Sequence, residues 1–350
     1  MRNRLVAILA FAAVLLAGLP GVAAPLRVPV PPREGLVSPA APSVTAESWI
    51  VYDADAGVVL AAHNADEERP QASTTKIMTA LVALKYGDLD DIVTVSTRAA
   101  DVGEAEIGLH PGEQLPLRLL LTALMVRSAN DAAMAVAEHI GGSVEGFADM
   151  MNAEAEALGL EHTHFDNPHG LDGQDHYSSA RDLLKTALAA MSYPEFREMA
   201  ATTEMPFPEA PDGTERKIVA TNHLLEEYPG AIGIKTGYTG RAGLVLVGAA
   251  VREGRTVFTV VMGSEGSGAH FDDTATLLDW AFERFRSVAM LSTGEYEPPD
   301  PVRVVEDDPV PEPEPEPVVV TRTREVEEPP PQLLDAFTWM GRLVGAGESG

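Results

Sequence analysis

Three short motifs carry side chains that are suited to nucleophilic acyl transfer. They are Ser73-Thr-Thr-Lys76, Ser128-Ala-Asn130 and Lys235-Thr-Gly237, in that order along the chain. Positions i and i+3 share one face of a helix, so a helix here brings the Ser73 hydroxyl and the Lys76 amine within hydrogen-bond distance. A serine hydroxyl is a weak nucleophile until a neighbouring group accepts its proton. We therefore predict Ser73 as a nucleophile and Lys76 as its base.

A lysine acts as a base only when burial or a second cation lowers its pKa, and Lys235 is the candidate second cation. The chain has five lysines against twenty arginines, and two of the five lie in these motifs. Taken separately, Ser73 suits a helix N-cap and Ser128-Ala-Asn130-Asp131 suits an Asx turn. Neither alternative accounts for the other two motifs, and the S-x-x-K and K-T-G patterns each occur once. The ordered trio therefore favours a catalytic site.

Hydrophobic periodicity predicts the elements that must position these motifs. Apolar residues spaced by three and four predict an amphipathic helix with one buried face over 74–86, with Ser73 at its start. The same period predicts helices over 115–140, 143–158, 179–192 and 271–286. A hairpin of 47–52 with 58–62 and strands over 230–235, 243–251 and 256–262 are also predicted. The last two strands are apolar on both faces, which places them at the centre of a helix-covered sheet. The order of elements predicts an α+β fold with an inserted helical lobe.

The motifs and the text between them resemble the low-molecular-weight penicillin-binding proteins that act as D-alanyl-D-alanine carboxypeptidases, a family of penicillin-recognising serine enzymes. The resemblance runs from about residue 45 to residue 288. The passages that carry it are Ala72-Ser-Thr-Thr-Lys-Ile-Met-Thr-Ala80, His110-Pro-Gly-Glu113, Phe165-Asp-Asn-Pro-His-Gly-Leu-Asp172, Gly233-Ile-Lys-Thr-Gly-Tyr-Thr239 and Val261-Met-Gly263. It implies a β-lactamase/transpeptidase-like fold, with a central antiparallel sheet flanked by helices. It also implies an enzyme that removes the terminal D-alanine of peptidoglycan pentapeptides and is acylated by penicillin.

The resemblance implies a role for each matching residue. Ser73 attacks the carbonyl between the two D-alanines and forms an acyl-enzyme, Lys76 is its base, and Ser128 relays a proton to the leaving D-alanine. The implied substrate-binding residues are Asn130, Lys235, Thr236, Gly237 and Tyr238. Asn130 holds the substrate amide, Lys235 with Thr236 binds the terminal carboxylate, and the backbone amides of Ser73 and Tyr238 form the oxyanion hole. We expect no cofactor and no metal; the partners are the peptidoglycan stem peptide and, as inhibitors, β-lactam antibiotics.

The chain departs from this family in two places. Relatives commonly carry a positively charged residue before the last helix, where this chain has Gly268-Ala-His270-Phe-Asp-Asp273, and His270 is the candidate substitute. Many relatives also have a β-rich second domain, where this chain has an acidic, proline-rich stretch.

Composition divides the chain into five segments. Residues 1–24 have a basic start, an apolar run and small residues, a pattern typical of a cleaved signal peptide, with an uncleaved anchor as the alternative. An extended arm over 25–44 precedes the catalytic domain, residues 45–290. An acidic, proline-rich spacer over 291–330 leads to an amphipathic tail, 331–350, for which we favour a membrane-surface helix over a frayed or partner-docked segment. We expect an exported, periplasmic protein that is peripheral on the outer face of the cytoplasmic membrane.

Composition also excludes several classes of function. The sequence has no cysteine, which rules out a disulfide framework, a thiol nucleophile and a thiolate metal site. Its formal net charge is -28, from 53 acidic and 25 basic residues. Such a surface repels phosphate backbones, so nucleic acid is excluded as a partner.

Four alternative functions fit parts of the sequence. His162, His164, His169 and His176 lie among aspartates as in a zinc peptidase, although an H-E-x-x-H helix is absent. A serine β-lactamase shares the three motifs but needs a positioned glutamate, and the expected E-x-x-x-N element is not visible. An inactive wall-binding module predicts a lost Ser, Lys or Asn, and all three are present. A D,D-endopeptidase of the same family differs only in the leaving group that fits.

Overall fold

A five-stranded antiparallel sheet forms the centre of the computed structural model, which describes residues 41–291. The strands in chain order are β1 (Ser48–Asp53), β2 (Val58–His63), β3 (Ile92–Thr94), β4 (Gln114–Pro116), β5 (Glu204–Pro206), β6 (Lys217–Val219), β7 (Ala231–Thr239), β8 (Gly243–Arg252) and β9 (Arg255–Ser264). The central sheet has the order β2-β1-β9-β8-β7, while β3 pairs with β4 and β5 pairs with β6. As predicted, β8 and β9 are interior strands.

Successive side chains of a strand point to opposite sides of the sheet, and both sides of the central sheet carry buried side chains. Ile50 on β1 and Val247 on β8 contribute to a large core cluster on one face. Their neighbours Val51 and Leu246 contribute to a smaller cluster on the other face. Each such fully buried side chain stabilises the fold by roughly 1.5–3 kcal/mol.

Helices cover the two faces. They are α1 (Lys76–Tyr86), α2 (Thr97–Ala100), α3 (Leu117–Val126), α4 (Asn130–Gly141), α5 (Val144–Ala157), α6 (Ala180–Ala190), α7 (Pro194–Ala201), α8 (Leu224–Glu227) and α9 (Ala269–Leu291). Helices α1 to α7 come between β2 and β7 in the chain and pack around the large cluster, whereas α9 packs on β8 and β9 over the smaller cluster. The predicted α+β fold with an inserted helical lobe is therefore confirmed.

Two of the predicted helices are wrong in detail. The segment predicted as one helix over 115–140 is two helices, α3 and α4, because Ser128 between them has a φ of 65°, which a right-handed helix cannot contain. The amphipathic helix predicted from Thr74 begins at Lys76 and follows a short 3-10 turn, Ala72–Thr75. Every residue from Lys76 to Ala83 is buried, so α1 lies inside the core and does not present one buried face.

The chain ends lie outside the described residues. The predicted signal peptide, most of the arm, the spacer and the amphipathic tail fall there, and the five-segment division stays a prediction. At the start of the described part, the Thr45 amide and hydroxyl donate to the Asp273 carboxylate at 2.9 and 2.7 Å, which ties the chain to α9. Over residues 41–291, none of the helices combines the length and the apolar character that crossing a bilayer requires.

Candidate active site

The 3-10 turn Ala72–Thr75 holds Ser73 at the entrance to α1, and the buried amine of Lys76 reaches it from the first residue of that helix. The distance from Lys76 Nζ to Ser73 Oγ is 3.1 Å. The i, i+3 spacing therefore gives the predicted hydroxyl–amine contact, although through a 3-10 turn and not through the α-helix itself. Ser73 is not an N-cap residue, because the N-cap of the 3-10 turn is Gln71 and that of α1 is Thr75, which removes the structural alternative for Ser73.

Lys76 is 0% exposed and donates to two further oxygens. Its Nζ lies 2.7 Å from Asn130 Oδ1 and 2.6 Å from the His169 carbonyl oxygen. Burial lowers the pKa of Lys76 well below its ordinary value, and the positive charge of Lys235 lowers it further, while Asp131 raises it. Because a neutral amine has a lone pair, the lowered pKa makes Lys76 able to accept the proton of Ser73.

The second motif lies in the break between α3 and α4. Ser128 is buried in the left-handed conformation that separates the two helices. Asn130 opens α4, and its amide nitrogen donates to the Gly103 carbonyl at 3.1 Å. Asp131 accepts the backbone N–H groups of Ile107 and Leu109, both at 3.0 Å. These two hydrogen bonds hold the loop before β4 beside the second motif. Burial raises the pKa of Asp131.

The third motif lies inside strand β7, which continues to Thr239, four residues beyond its predicted end. Lys235 is 1% exposed, and burial lowers its pKa to about 7. Its Nζ donates to the Thr236 carbonyl at 3.0 Å, and the Thr236 hydroxyl lies 3.0 Å from that of Thr221. Tyr238 is 67% exposed, in contrast to the buried Lys235.

Gly237 allows β7 to approach the nucleophile. A Cβ atom at this position would lie 2.9 Å from the Ser73 nitrogen and 3.0 Å from Ala72 Cβ. Only a glycine permits this close packing of the strand against the 3-10 turn. The three predicted motifs therefore meet at one place in the fold.

The segment 167–171 is a fourth part of the site, which the sequence indicated only through a family resemblance. Asn167 Oδ1 accepts the N–H groups of His169 and Gly170 at 3.2 and 2.7 Å, forming a tight local turn. This turn directs the His169 carbonyl at Lys76. Gly170 has a φ of 95°, and a Cβ there would lie 2.0 Å from the Ala72 carbonyl oxygen. An Asn-Pro-x-Gly pattern is a turn signal, but nothing in its spacing pointed to Lys76.

Two of the four clustered histidines, His169 and His176, serve as structural groups. Within residues 41–291, no group of three His, Asp or Glu side chains is arranged to hold a metal ion. The ring of His169 accepts the N–H of Leu171 at 3.1 Å, and that of His176 accepts the N–H of Asp166 at 3.0 Å. Burial lowers the pKa of His169 to about 3 and that of His176 to about 4, so both rings are neutral at neutral pH.

His270 lies in the first turn of α9, with its ring centroid 4.0 Å from that of Phe271. Burial lowers its pKa to about 4. At neutral pH His270 is therefore uncharged and does not replace the positive residue that the family resemblance implies near this position.

Comparisons with known proteins identify the family to which this chain is similar. The family model described as D-alanyl-D-alanine carboxypeptidase matches residues 36–266. The D-alanyl-D-alanine carboxypeptidase DacB2 of Mycobacterium tuberculosis is 41% identical over 251 residues, covering 69% of this chain and 84% of the relative. The D-alanyl-D-alanine carboxypeptidase DacA of Escherichia coli (strain K12) is 34% identical over 276 residues, which cover 75% of this chain and 67% of the relative.

Solved structures give the same result for the fold. A crystal structure of a D-alanyl-D-alanine carboxypeptidase from Mycobacterium tuberculosis superposes with a TM-score of 0.67 at 39% identity, covering 71% of this chain and 94% of that chain. A Streptomyces DD-transpeptidase superposes with a TM-score of 0.66 at 34% identity, covering 70% of this chain and 99% of that chain.

Proposed function

This chain belongs to the D-alanyl-D-alanine carboxypeptidase family, and we propose on that basis that it removes the terminal D-alanine of peptidoglycan pentapeptides through an acyl-enzyme on Ser73. The observation that carries the assignment of the nucleophile is the buried Lys76 amine, 3.1 Å from the Ser73 hydroxyl. A buried lysine with a strongly lowered pKa is a group prepared to accept a proton.

Acylation begins when Lys76 Nζ accepts the proton of Ser73 Oγ. The oxygen attacks the carbonyl carbon between the two D-alanines, a C–O bond forms, and the negative charge moves to the former carbonyl oxygen. The backbone N–H groups of Ser73 and Tyr238 donate hydrogen bonds to this oxyanion. Each such donor typically lowers the free energy of the transition state by about 3–4 kcal/mol. The C–N bond then breaks, and the proton held by Lys76 passes through Ser128 to the amine of the departing D-alanine.

Deacylation reverses these roles. A water molecule loses a proton to Lys76 and attacks the acyl carbon. The bond to Ser73 Oγ breaks, and Oγ regains a proton from Lys76. The products are free D-alanine and a peptide shortened by one residue, and the enzyme returns to its starting state.

Substrate recognition depends on the terminal carboxylate. We assign its binding to Lys235 and Thr236, and a carboxylate beside Lys235 favours the charged amine. Asn130 Oδ1 accepts a hydrogen bond from Lys76, and one hydrogen of the Asn130 amide group is donated to the Gly103 carbonyl. The second amide hydrogen is the one we assign to the substrate backbone. A penicillin carries both a reactive amide and a carboxylate, so the same groups support acylation by β-lactams.

The sequence patterns at the two ends support a location for this activity. We infer that residues 1–24 direct export of the protein into the periplasm. We also infer that residues 331–350 attach it to the outer face of the cytoplasmic membrane. Fusion of residues 331–350 to a soluble reporter tests the attachment: the reporter is expected in the membrane fraction, and recovery in the soluble fraction contradicts it.

Incubation of the purified protein with a muropeptide that ends in D-Ala-D-Ala tests the activity. Free D-alanine is expected with the wild type and not with Ser73→Ala. Release of D-alanine by both proteins, or by neither, overturns the proposal. Rapid turnover of bound penicillin favours the β-lactamase alternative, whereas a persistent acyl-enzyme favours the carboxypeptidase.

A further inference from the structure

The peptide group between Ala72 and Ser73 is held from its carbonyl side. Ala72 is 1% exposed and has a φ of 49°, a left-handed conformation that is uncommon for a residue with a side chain. Its carbonyl oxygen accepts a hydrogen bond from the hydroxyl of Thr75 at 2.8 Å. In a planar trans peptide the C=O and the following N–H point in opposite directions. A hydrogen bond that fixes the Ala72 carbonyl therefore also fixes the direction of the Ser73 N–H.

The Thr75 hydroxyl is held in turn by His176. Thr75 Oγ1 lies 2.8 Å from His176 Nε2, while the Gln71 amide nitrogen is farther from that atom at 3.4 Å. Because His176 Nδ1 accepts the N–H of Asp166, a neutral ring carries its hydrogen on Nε2. The low pKa of this ring, about 4, keeps it neutral at neutral pH.

The hydrogen bonds consequently run in one direction. The Asp166 N–H donates to His176, His176 donates to Thr75, and Thr75 donates to the Ala72 carbonyl. In a chain of this kind each bond polarises the next, so the last donor strengthens the peptide N–H on the far side of the Ala72 carbonyl. That N–H belongs to Ser73.

We propose that His176 and Thr75 are positioning residues for the Ser73 N–H, which they align and polarise as a donor to the oxyanion of the transition state. The proposal rests on the proposed function, in which this N–H is one of the two oxyanion donors. Because negative charge develops on the oxygen only during the attack, the contribution is expected in kcat and not in substrate binding.

Substitutions at Thr75 test the proposal. Thr75→Val removes the hydroxyl and keeps the shape of the side chain, whereas Thr75→Ser keeps the hydroxyl. We expect Thr75→Val to lower kcat for D-alanine release about 10- to 100-fold with KM within about twofold, less than the loss of a whole oxyanion donor. Thr75→Ser is expected within about threefold of the wild type.

The matched control is Thr186→Val on α6. Thr186 is also buried, and its hydroxyl donates to the carbonyl of Asp182 at 2.8 Å, a hydrogen bond within α6. It is expected to lose stability to a similar degree in thermal unfolding while its kcat stays within about twofold of the wild type. A loss of kcat that follows stability across these variants overturns the proposal.

His176 gives a second pair of variants that does not depend on Thr75. In His176→Gln the amide nitrogen lies near the former Nε2 position and can still donate to Thr75. In His176→Asn the amide oxygen lies near the former Nδ1 position, so the bond from Asp166 is kept and the bond to Thr75 is lost. We expect the Asn variant to lose about tenfold more kcat than the Gln variant. Equal values for the two overturn the proposal.

The rate of acylation by a chromogenic β-lactam is measured in parallel for every variant. This reaction requires the Ser73 oxyanion donor but not the peptide substrate. If the wild type is acylated but releases no D-alanine, the substrate assignment fails while the positioning role is still tested by the acylation rates. If D-alanine is released normally and Thr75→Val matches Thr75→Ser in both assays, the positioning role fails and the proposed function stands.

Discussion

Gly170→Ala tests whether the segment 167–171 is packed against the nucleophile as tightly as the structure has it. Gly170 has a φ of 95°, and its added Cβ would meet backbone atoms of the nucleophile turn, the Ala72 oxygen at 2.0 Å and the Ser73 nitrogen at 2.9 Å. Real Cβ atoms do not approach other atoms closer than 3.0 Å. The turn must therefore move by about 1 Å, the scale of misplacement that costs roughly 100-fold in rate.

The loss of stability has two parts. A side chain in the left-handed region costs about 1–2 kcal/mol, and overpacking of a fixed backbone costs about 1–3 kcal/mol more. Gly159→Ala is the matched control, because Gly159 has a φ of 65° and nothing within 4 Å of its added Cβ. Gly159→Ala therefore carries only the first part.

Thermal unfolding and D-alanine release measure the two effects. For a domain of this size each kcal/mol lowers Tm by about 2–4 °C, so we expect a loss of about 4–20 °C for Gly170→Ala and about 2–8 °C for the control. kcat/KM is expected to fall about 100-fold for Gly170→Ala and less than about threefold for the control. If the two variants are equally stable and equally active, the close contact between this segment and the nucleophile turn does not exist.

Three further predictions follow from the buried charges. Because the pKa of Lys235 is about 7, this lysine loses its charge as pH rises through about 7, and kcat/KM for a peptide with a free carboxylate is expected to fall over the same range. The arginine in Lys235→Arg stays charged, so the kcat/KM of this variant should not fall in that range. Lys76→Gln removes the base and should lower the rate of acylation by penicillin about 100- to 10,000-fold, measured by stopped-flow, with an unchanged rate contradicting the assignment. Arg216 forms a buried ion pair with Glu113 at 2.6 Å, so Arg216→Met should lower the free energy of unfolding in urea by about 3–5 kcal/mol, and adding Glu113→Gln should restore part of it.

The sequence predicted the strands of the central sheet more reliably than the helix ends, whereas the short strands β3 to β6 were not predicted. Strands β8 and β9 are continuous apolar runs, so their interior position followed from composition alone. Ser128 was different, because serine carries no signal for a φ of 65° and the helical period continues on both sides of it. The break between α3 and α4 lies at the second motif, and hydrophobic periodicity does not detect it.

The candidate site was also predicted only in part. The i, i+3 spacing alone predicted the contact between Ser73 and Lys76, and the small number of lysines in the chain indicated Lys235. The lowered pKa of Lys76, by contrast, arises from burial and from the positive charge of Lys235, and the Lys76 amine also contacts the His169 carbonyl, 93 positions away in the chain. The contact of His176 with Thr75 likewise joins residues 101 positions apart. Such contacts depend on the tertiary fold, and a single sequence does not encode them in a readable pattern.

The measurement that tests the central claim most directly is the mass of the protein after reaction with penicillin. The intact protein is expected to gain the mass of one penicillin, the proteolytic peptide that contains Ser73 is expected to carry it, and Ser73→Ala is expected to gain nothing. Lys76→Gln should reach the same mass far more slowly. Penicillin bound at another residue, or a Ser73→Ala protein labelled as fully as the wild type, would contradict the assignment of Ser73 as the nucleophile.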